Sequence, residues 1–246
     1  MKRFLKLYII EEKLTLRTPD IWIFGIMMPV GIMLLIAAIA GGKAAGGSGM
    51  TYLQASFASL QCVGICCAAF MSIPLMITDY RDKKILKHFY ASPCSPAWLL
   101  GADTLCAFGT AVLSAISVAV SAVIFFQYRM PGNVLHFIGA WLLTLLAMTS
   151  IGLMMASLCG SVKTANAVTS IVYFPMLFLS GATIPYELFP RGLQRVADVL
   201  PLTQGIRLMK DASMGTWAVG NTGRILLLLA IMVVCSLIAV KTFRWE

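Results

Sequence analysis

From Ile151 to Asp211 the chain reads IGLMMASLCGSVKTANAVTSIVYFPMLFLSGATIPYELFPRGLQRVADVLPLTQGIRLMKD. It begins in one apolar run, passes a short break with Lys163, and enters a second apolar run from Ala167 to about Ile184. A helix that crosses a bilayer needs about 20 mostly apolar residues, and both runs qualify. The residues beyond Ile184 are too polar to cross. Leu193, Val196, Ala197 and Leu200 recur at helical spacing, with Arg191, Gln194, Arg195 and Asp198 on the opposite face. Pro201 breaks this short amphipathic helix and can open another, in which Leu202, Ile206 and Met209 oppose Arg207, Lys210 and Asp211. The pair either lies on the outer leaflet or dips in as a hairpin, whose bend other helices must then bury.

Four more apolar runs flank this stretch: Ile21 to Ala40, about Tyr52 to Thr78, Trp98 to about Phe126, and Ile225 to Val240. Together with Val134 to Leu158, they give six expected spans. The second holds no charge and contains Pro74, a place to kink. Long continuous runs of this kind exclude a β-barrel. Composition agrees. The 246 residues are 59% apolar and 12% charged, with a mean hydropathy of +0.87, against about 45–50% and about 25% in an average soluble domain. A soluble enzyme, a disordered tail and a nucleic-acid-binding module are excluded. The expectation is a single domain over residues 1–246.

The net charge of +9 would suggest nucleic acid in a polar chain. Here it reads as basic residues gathered on the cytoplasmic side. Lys2, Arg3, Lys6, Lys13 and Arg17 precede the first span. Arg81, Lys83, Lys84 and Lys87 follow the second, Lys163 follows the fourth, and Lys241 and Arg244 follow the sixth. The short loops on the other side carry only Lys43 and Arg129. Both termini are therefore expected in the cytoplasm. The outer segment from Pro185 to Arg224 carries five more basic residues, against this trend.

Two inner segments stand apart. In residues 1–19, Lys2, Lys6, Lys13 and Arg17 share one arc of a helix, while Phe4, Leu7, Tyr8 and Leu14 gather on another side. This is the pattern of a helix lying in the inner interface, ended by Pro19. Acids interrupt it and no small-residue cleavage site follows, so a cleaved signal peptide is not expected. In the loop DYRDKKILKHFYASPCSPAWLL, from Asp79 to Leu100, Ile85, Leu86, Phe89 and Tyr90 form an apolar patch at helical spacing. It reads either as an amphipathic helix offered to a soluble partner or as a loop anchored by its aromatics.

Catalytic chemistry is scarce. His88 and His136 make no metal-ligand spacing with Cys or a carboxylate. CGSVKT has Val162 where a phosphate-binding loop needs Gly. Of the seven Cys, Cys62, Cys66, Cys67, Cys106, Cys159 and Cys235 lie in apolar stretches and Cys94 in the basic loop, which suits packing thiols rather than a disulfide framework. Asp103 is the one ionisable residue clearly inside a span. It is expected to pair with a loop Lys or Arg, with a proton-relay role as the alternative. Thr110, Ser114, Ser117 and Ser121 stripe the third span, and Gly152, Ala156 and Gly160 the fourth. Such series serve close helix packing or line a pathway, for which Gln54, Gln61 and Tyr173 are further candidates.

At these residues the chain resembles the permease subunits of ABC-2 type transporters, over nearly its whole length. Ser180, Gly181, Pro185, Pro190, Leu200 and Pro201 match the family's outer segment. Arg81, Asp82, Leu86, Ser92 and Pro93 match its loop pattern, with Lys84 where that pattern usually has Gly. A weaker match is RTPDIWIFGIMMP at the entry to the first span.

The resemblance implies an all-α membrane protein. It would have six transmembrane helices, an N-terminal interfacial helix, a cytoplasmic coupling helix within residues 79–96 and an extracellular re-entrant helical hairpin within residues 185–215. It implies that Arg81, Asp82, Lys83, Lys84, Leu86, Lys87, Phe89 and Tyr90 couple to a cytosolic ATPase present in two copies. A second permease subunit, identical or homologous, would complete the unit in a bacterial inner membrane. ATP and Mg would be bound by the ATPase, with no cofactor in this chain. The likeness leans towards drug-, antibiotic- and nodulation-factor-exporting members, and away from glycan exporters.

Overall fold

Inside a bilayer the backbone must satisfy its own hydrogen bonds, and apolar runs therefore become helices. A computed structural model describes residues 2–15, 17–19, 21–40, 52–85, 96–183, 186, 189–217 and 220–243. Among them every regular element is helical. The order is α1 (Lys2–Thr15), a π-helical entry (Ile21–Met27) running into α2 (Met28–Ala40), and α3 (Tyr52–Cys66), which passes through a π-helical stretch (Cys67–Ser72) into α4 (Ile73–Asp82). Then come α5 (Pro96–Phe126), α6 (Val134–Leu158), α7 (Val162–Leu179), α8 (Arg191–Val199), α9 (Pro201–Met214) and α10 (Asn221–Thr242).

Among the described residues, five helices are long and apolar enough to cross a membrane: Ser56–Asp82, Leu100–Phe126, Val134–Leu158, Val162–Leu179 and Asn221–Thr242. The first expected span is helical throughout Ile21–Ala40, but its apolar helix, Trp22–Ile36, falls short of that length. The second span carries its irregularity just ahead of Pro74, which has no N–H to give to the carbonyl four residues before it. The fifth span is displaced from its expected bounds. Ser161 and Thr164 form a reciprocal capping box that starts the helix at Val162, well before Ala167. Gly181, at φ 84°, ends the run in a left-handed turn.

The core is the second span. Phe57, Leu60, Ile65, Phe70, Ile73 and Ile77 are buried among Leu145, Met148, Tyr173 and Leu177 of α6 and α7. Two glycines permit close approaches at the faces of α6 and α9. A side chain at Gly152 of α6 would run into the Ala69 carbonyl, and one at Gly205 of α9 into Thr144. Gly160 lies beyond the end of α6 and is exposed, so only Gly152 and Ala156 of that series pack inside.

Outside the core, α9 is buried against α3 and α6 through Leu202, Ile206, Leu208 and Met209. By contrast, α8 exposes Val196 and Val199. Leu200 and Pro201 form the corner between them, with Pro190 capping α8 and Pro201 at the first position of α9. This gives a short hairpin with one arm inserted.

The N-terminal helix corrects the expected arrangement. Its packed stripe is Phe4, Leu7, Tyr8, Glu11, Glu12 and Thr15, at spacings of three and four, laid against α5. Leu14 instead faces outward with Leu5, Ile9 and Ile10. Two acids thus lie on the packed side.

Candidate functional site at the end of α4

The end of α4 is where the charged loop begins. Lys83 and Lys84 make the closing turn through N–H bonds to Asp79 O and Arg81 O. Lys84 takes φ 56°, the left-handed conformation that Gly adopts without cost. This accounts for the departure from the Gly of the resembled pattern: the turn persists, with a side chain in it. Lys83 pairs with Asp79 at 2.7 Å on an exposed face, a contact worth little alone.

Arg81 and Asp82 reach across to neighbouring helices. Arg81 Nη1 donates to Cys159 O at 2.6 Å and to Ala156 O at 3.3 Å, satisfying carbonyls at the end of α6. Its guanidinium lies 5.4 Å from the ring centre of Phe243, just past α10. Asp82 Oδ2 accepts from Val162 N at 2.9 Å, placing a negative charge at the start of α7. Two adjacent residues of α4 therefore engage three other helix ends. Beside them opens a cavity of about 590 Å³ lined by Arg81, Ser157, Cys159, Lys241 and Phe243. Burial pushes the Cys159 thiol up and Arg81 pulls it down, with burial the larger effect. Leu86, Lys87, Phe89 and Tyr90 lie outside the described residues.

Immediately before Arg81 on α4, the Tyr80 hydroxyl donates to Glu11 Oε2 at 2.5 Å and lies 3.4 Å from Asp103 Oδ1. All three residues are buried. Asp103 is expected to pair with a loop Lys or Arg, of which Lys87 lies outside the described residues. Among the described residues it makes no ion pair and meets a tyrosine shared with α1. Glu11 and Tyr80 are additions to the expected site. Their signal in the sequence is the spacing Phe4, Leu7, Tyr8, Glu11, Thr15, which puts an acid in a packed stripe.

The small polar residues of the spans are packed between helices. Thr110 and Ser114 are buried, while Ser117 and Ser121 are half-buried. The hydroxyls of Thr110, Ser117 and Ser121 donate to carbonyls of their own helix, which hides a polar group at no cost to a neighbour. Gln61 Nε2 reaches Ala115 O at 3.2 Å, and Tyr173 is 1% exposed. The Gln54 side chain lies outside the described residues.

In the hairpin, Asp198 of α8 accepts from Tyr186 at 2.9 Å and from Arg207 of α9 at 2.5 Å. The Arg207 guanidinium sits 4.5 Å over the Tyr186 ring. Arg224 of α10 ties Asp211 to Asn221, at 2.7 and 2.9 Å. Ser180 is buried at the end of α7 beside Gly181. Pro185 lies outside the described residues.

These features define a multi-pass helical membrane protein in which the ends of several helices meet at the end of α4. Residues 4–214 match the model of the ABC-2 type transporter family. The chain belongs to that family, and as such is a membrane transport subunit that partners an ABC ATPase. It is 25% identical over 200 residues to nodulation protein J of Neorhizobium galegae, covering 81% of this chain and 72% of that protein. It is 36% identical over 73 residues to nodulation protein J of Rhizobium leguminosarum bv. viciae, covering 30% of this chain and 28% of that protein.

Proposed function

We propose that this chain is the permease of an ATP-driven exporter, moving an amphipathic or hydrophobic molecule out of the cytoplasm or the inner leaflet. The observation that carries the reading is the join at the end of α4, where Arg81 and Asp82 bind the ends of α6 and α7 at the start of the segment expected to meet the ATPase. Closure of two ATPases on bound ATP and Mg would push on residues 79–96. The join delivers that push to α6 and α7 together. The π-helical stretch at Cys67–Ser72 is the point where the second span can bend. In this reading the chain spans the inner membrane six times, with Ile21–Ala40 as the first crossing and both termini in the cytoplasm. It pairs with a second permease.

The substrate class rests on desolvation. The spans offer few charges, and a strongly hydrated solute would leave water uncompensated. An apolar or amphipathic drug, antibiotic or lipid-like molecule suits a chain with 15 Met and 13 Phe. The relatives named nodulation protein J lend support to this direction. The test is replacement of Leu86 and Phe89 together with Asp, then co-purification with the ATPase and a transport assay. The reading expects loss of both. Retention of both removes it.

A further inference from the structure

Glu11, Tyr80 and Asp103 come from α1, α4 and α5 and are 6%, 8% and 2% exposed. Tyr80 faces two carboxyls, and a phenol has one proton to give. The 2.5 Å distance to Glu11 Oε2 is that of a hydroxyl bonded to an ionised carboxylate, so the proton goes there. The Tyr80 oxygen then turns only lone pairs to Asp103 Oδ1, 3.4 Å away. An ionised Asp103 would set oxygen against oxygen, beside the Glu11 charge and away from water. A carboxylic acid at Asp103 donates to the Tyr80 oxygen and removes both penalties.

Independent signs point to a ligand at this seam. Asp103 Oδ2 and Thr15 Oγ1 are buried with no hydrogen-bond partner among the described residues. Thr15 is 2% exposed and stands one turn beyond Glu11 on the same packed stripe. The other titratable groups along the seam are Tyr8 and Glu12 on α1 and Cys106 on α5, whose thiol meets Tyr8 O at 3.9 Å. On α4, Asp79 pairs with Lys83, Asp82 bonds Val162 N, and Arg81 serves the α6 carbonyls. None of the ion pairs among the described residues brings a Lys or Arg to Glu11, Glu12 or Asp103. No group of described residues there could hold a metal ion.

We infer that Glu11 and Asp103 hold one proton between them through Tyr80, and that this bound proton lets α1 seal against the second and third spans. Lifting α1 away opens the seam to water and frees the proton. The inference goes beyond the exporter reading and does not depend on it.

The test uses the full chain in lipid nanodiscs. Its infrared spectrum at neutral pH should contain a carboxylic-acid carbonyl band that shifts in D2O. Asp103→Asn removes that acid. Glu11→Gln also removes the band, because Tyr80 is then free to donate to Asp103, which ionises. A band absent from the wild type, or one lost in Asp103→Asn but kept in Glu11→Gln, overturns the sharing.

Thermal unfolding gives a second readout. The folded pair keeps a proton that the unfolded chain has already released, so the unfolded state binds fewer protons. Wild-type stability therefore falls as the pH rises above the ordinary carboxylate range, and falls less in either variant. Stabilisation at alkaline pH by sodium relative to choline, lost in Asp103→Asn, would make a metal cation the ligand and overturn the proton.

Discussion

The second and the last spans are both long apolar helices, yet they sit in the molecule in opposite ways. Within the apolar stretch of Ser56–Asp82, 78% is buried inside the chain, whereas for Asn221–Thr242 the figure is 17%. Composition does not distinguish the two, because lipid and protein interior both accept Leu and Val. Packing does. The second span meets α5, α6, α7 and α9, while α10 turns Val233, Val234, Leu237 and Val240 outward. A helix gripped on all sides can transmit a displacement; a helix facing outward can slide against lipid or another subunit.

The largest expected effect is therefore where another helix meets the backbone of the buried span. Gly152→Leu drives a side chain into the Ala69 carbonyl and should cost about 3 kcal/mol or more. The measurement is the yield of folded chain after detergent extraction. Val240→Leu on α10, at a residue 79% exposed, should leave that yield unchanged. Equal damage from both would erase the distinction between the spans.

A smaller effect is expected at the join at the end of α4. Arg81→Met keeps the apolar stem over Phe243 but leaves the carbonyls of Ala156 and Cys159 without their donor. The expected loss is about 2 kcal/mol, read as faster proteolysis after the end of α6. Arg81→Lys should recover only part of it, since one ammonium does not reproduce the planar guanidinium on the Phe243 ring.

The smallest effect has the opposite sign. Lys84→Gly relieves the left-handed residue at φ 56° and should gain about 0.5 kcal/mol, once the extra entropy of unfolded Gly is deducted. A modest rise in melting temperature would register it.

These particulars also mark what could be read from the chain beforehand. The fourth span, Val134–Leu158, coincides with the structure because Asn133 caps its start and polar residues succeed its end. The fifth differs at its start because Val162–Asn166 reads as loop until Ser161 and Thr164 are recognised as a capping box. The Pro190, Leu200 and Pro201 punctuation of the outer segment was legible as chemistry of helix starts and stops. Burial was not. Periodicity says that Glu11 shares a face with Phe4 and Leu7, but only packing against α5 and Tyr80 shows that the face is covered. Likewise Thr110, Ser117 and Ser121 look like a polar lining until their hydroxyls are traced to their own helix.

The central claim is that the ends of α4 and α7 move as one body when the ATPase acts. Asp82 and Val162, joined at 2.9 Å, are the positions that test it. With both replaced by Cys in a background lacking the native thiols, a short bifunctional thiol reagent locks the two ends together. The account predicts that ATP-driven export by the locked protein equals that of the same variant before locking. Export that stops on locking and returns when a cleavable linker is cut would contradict it.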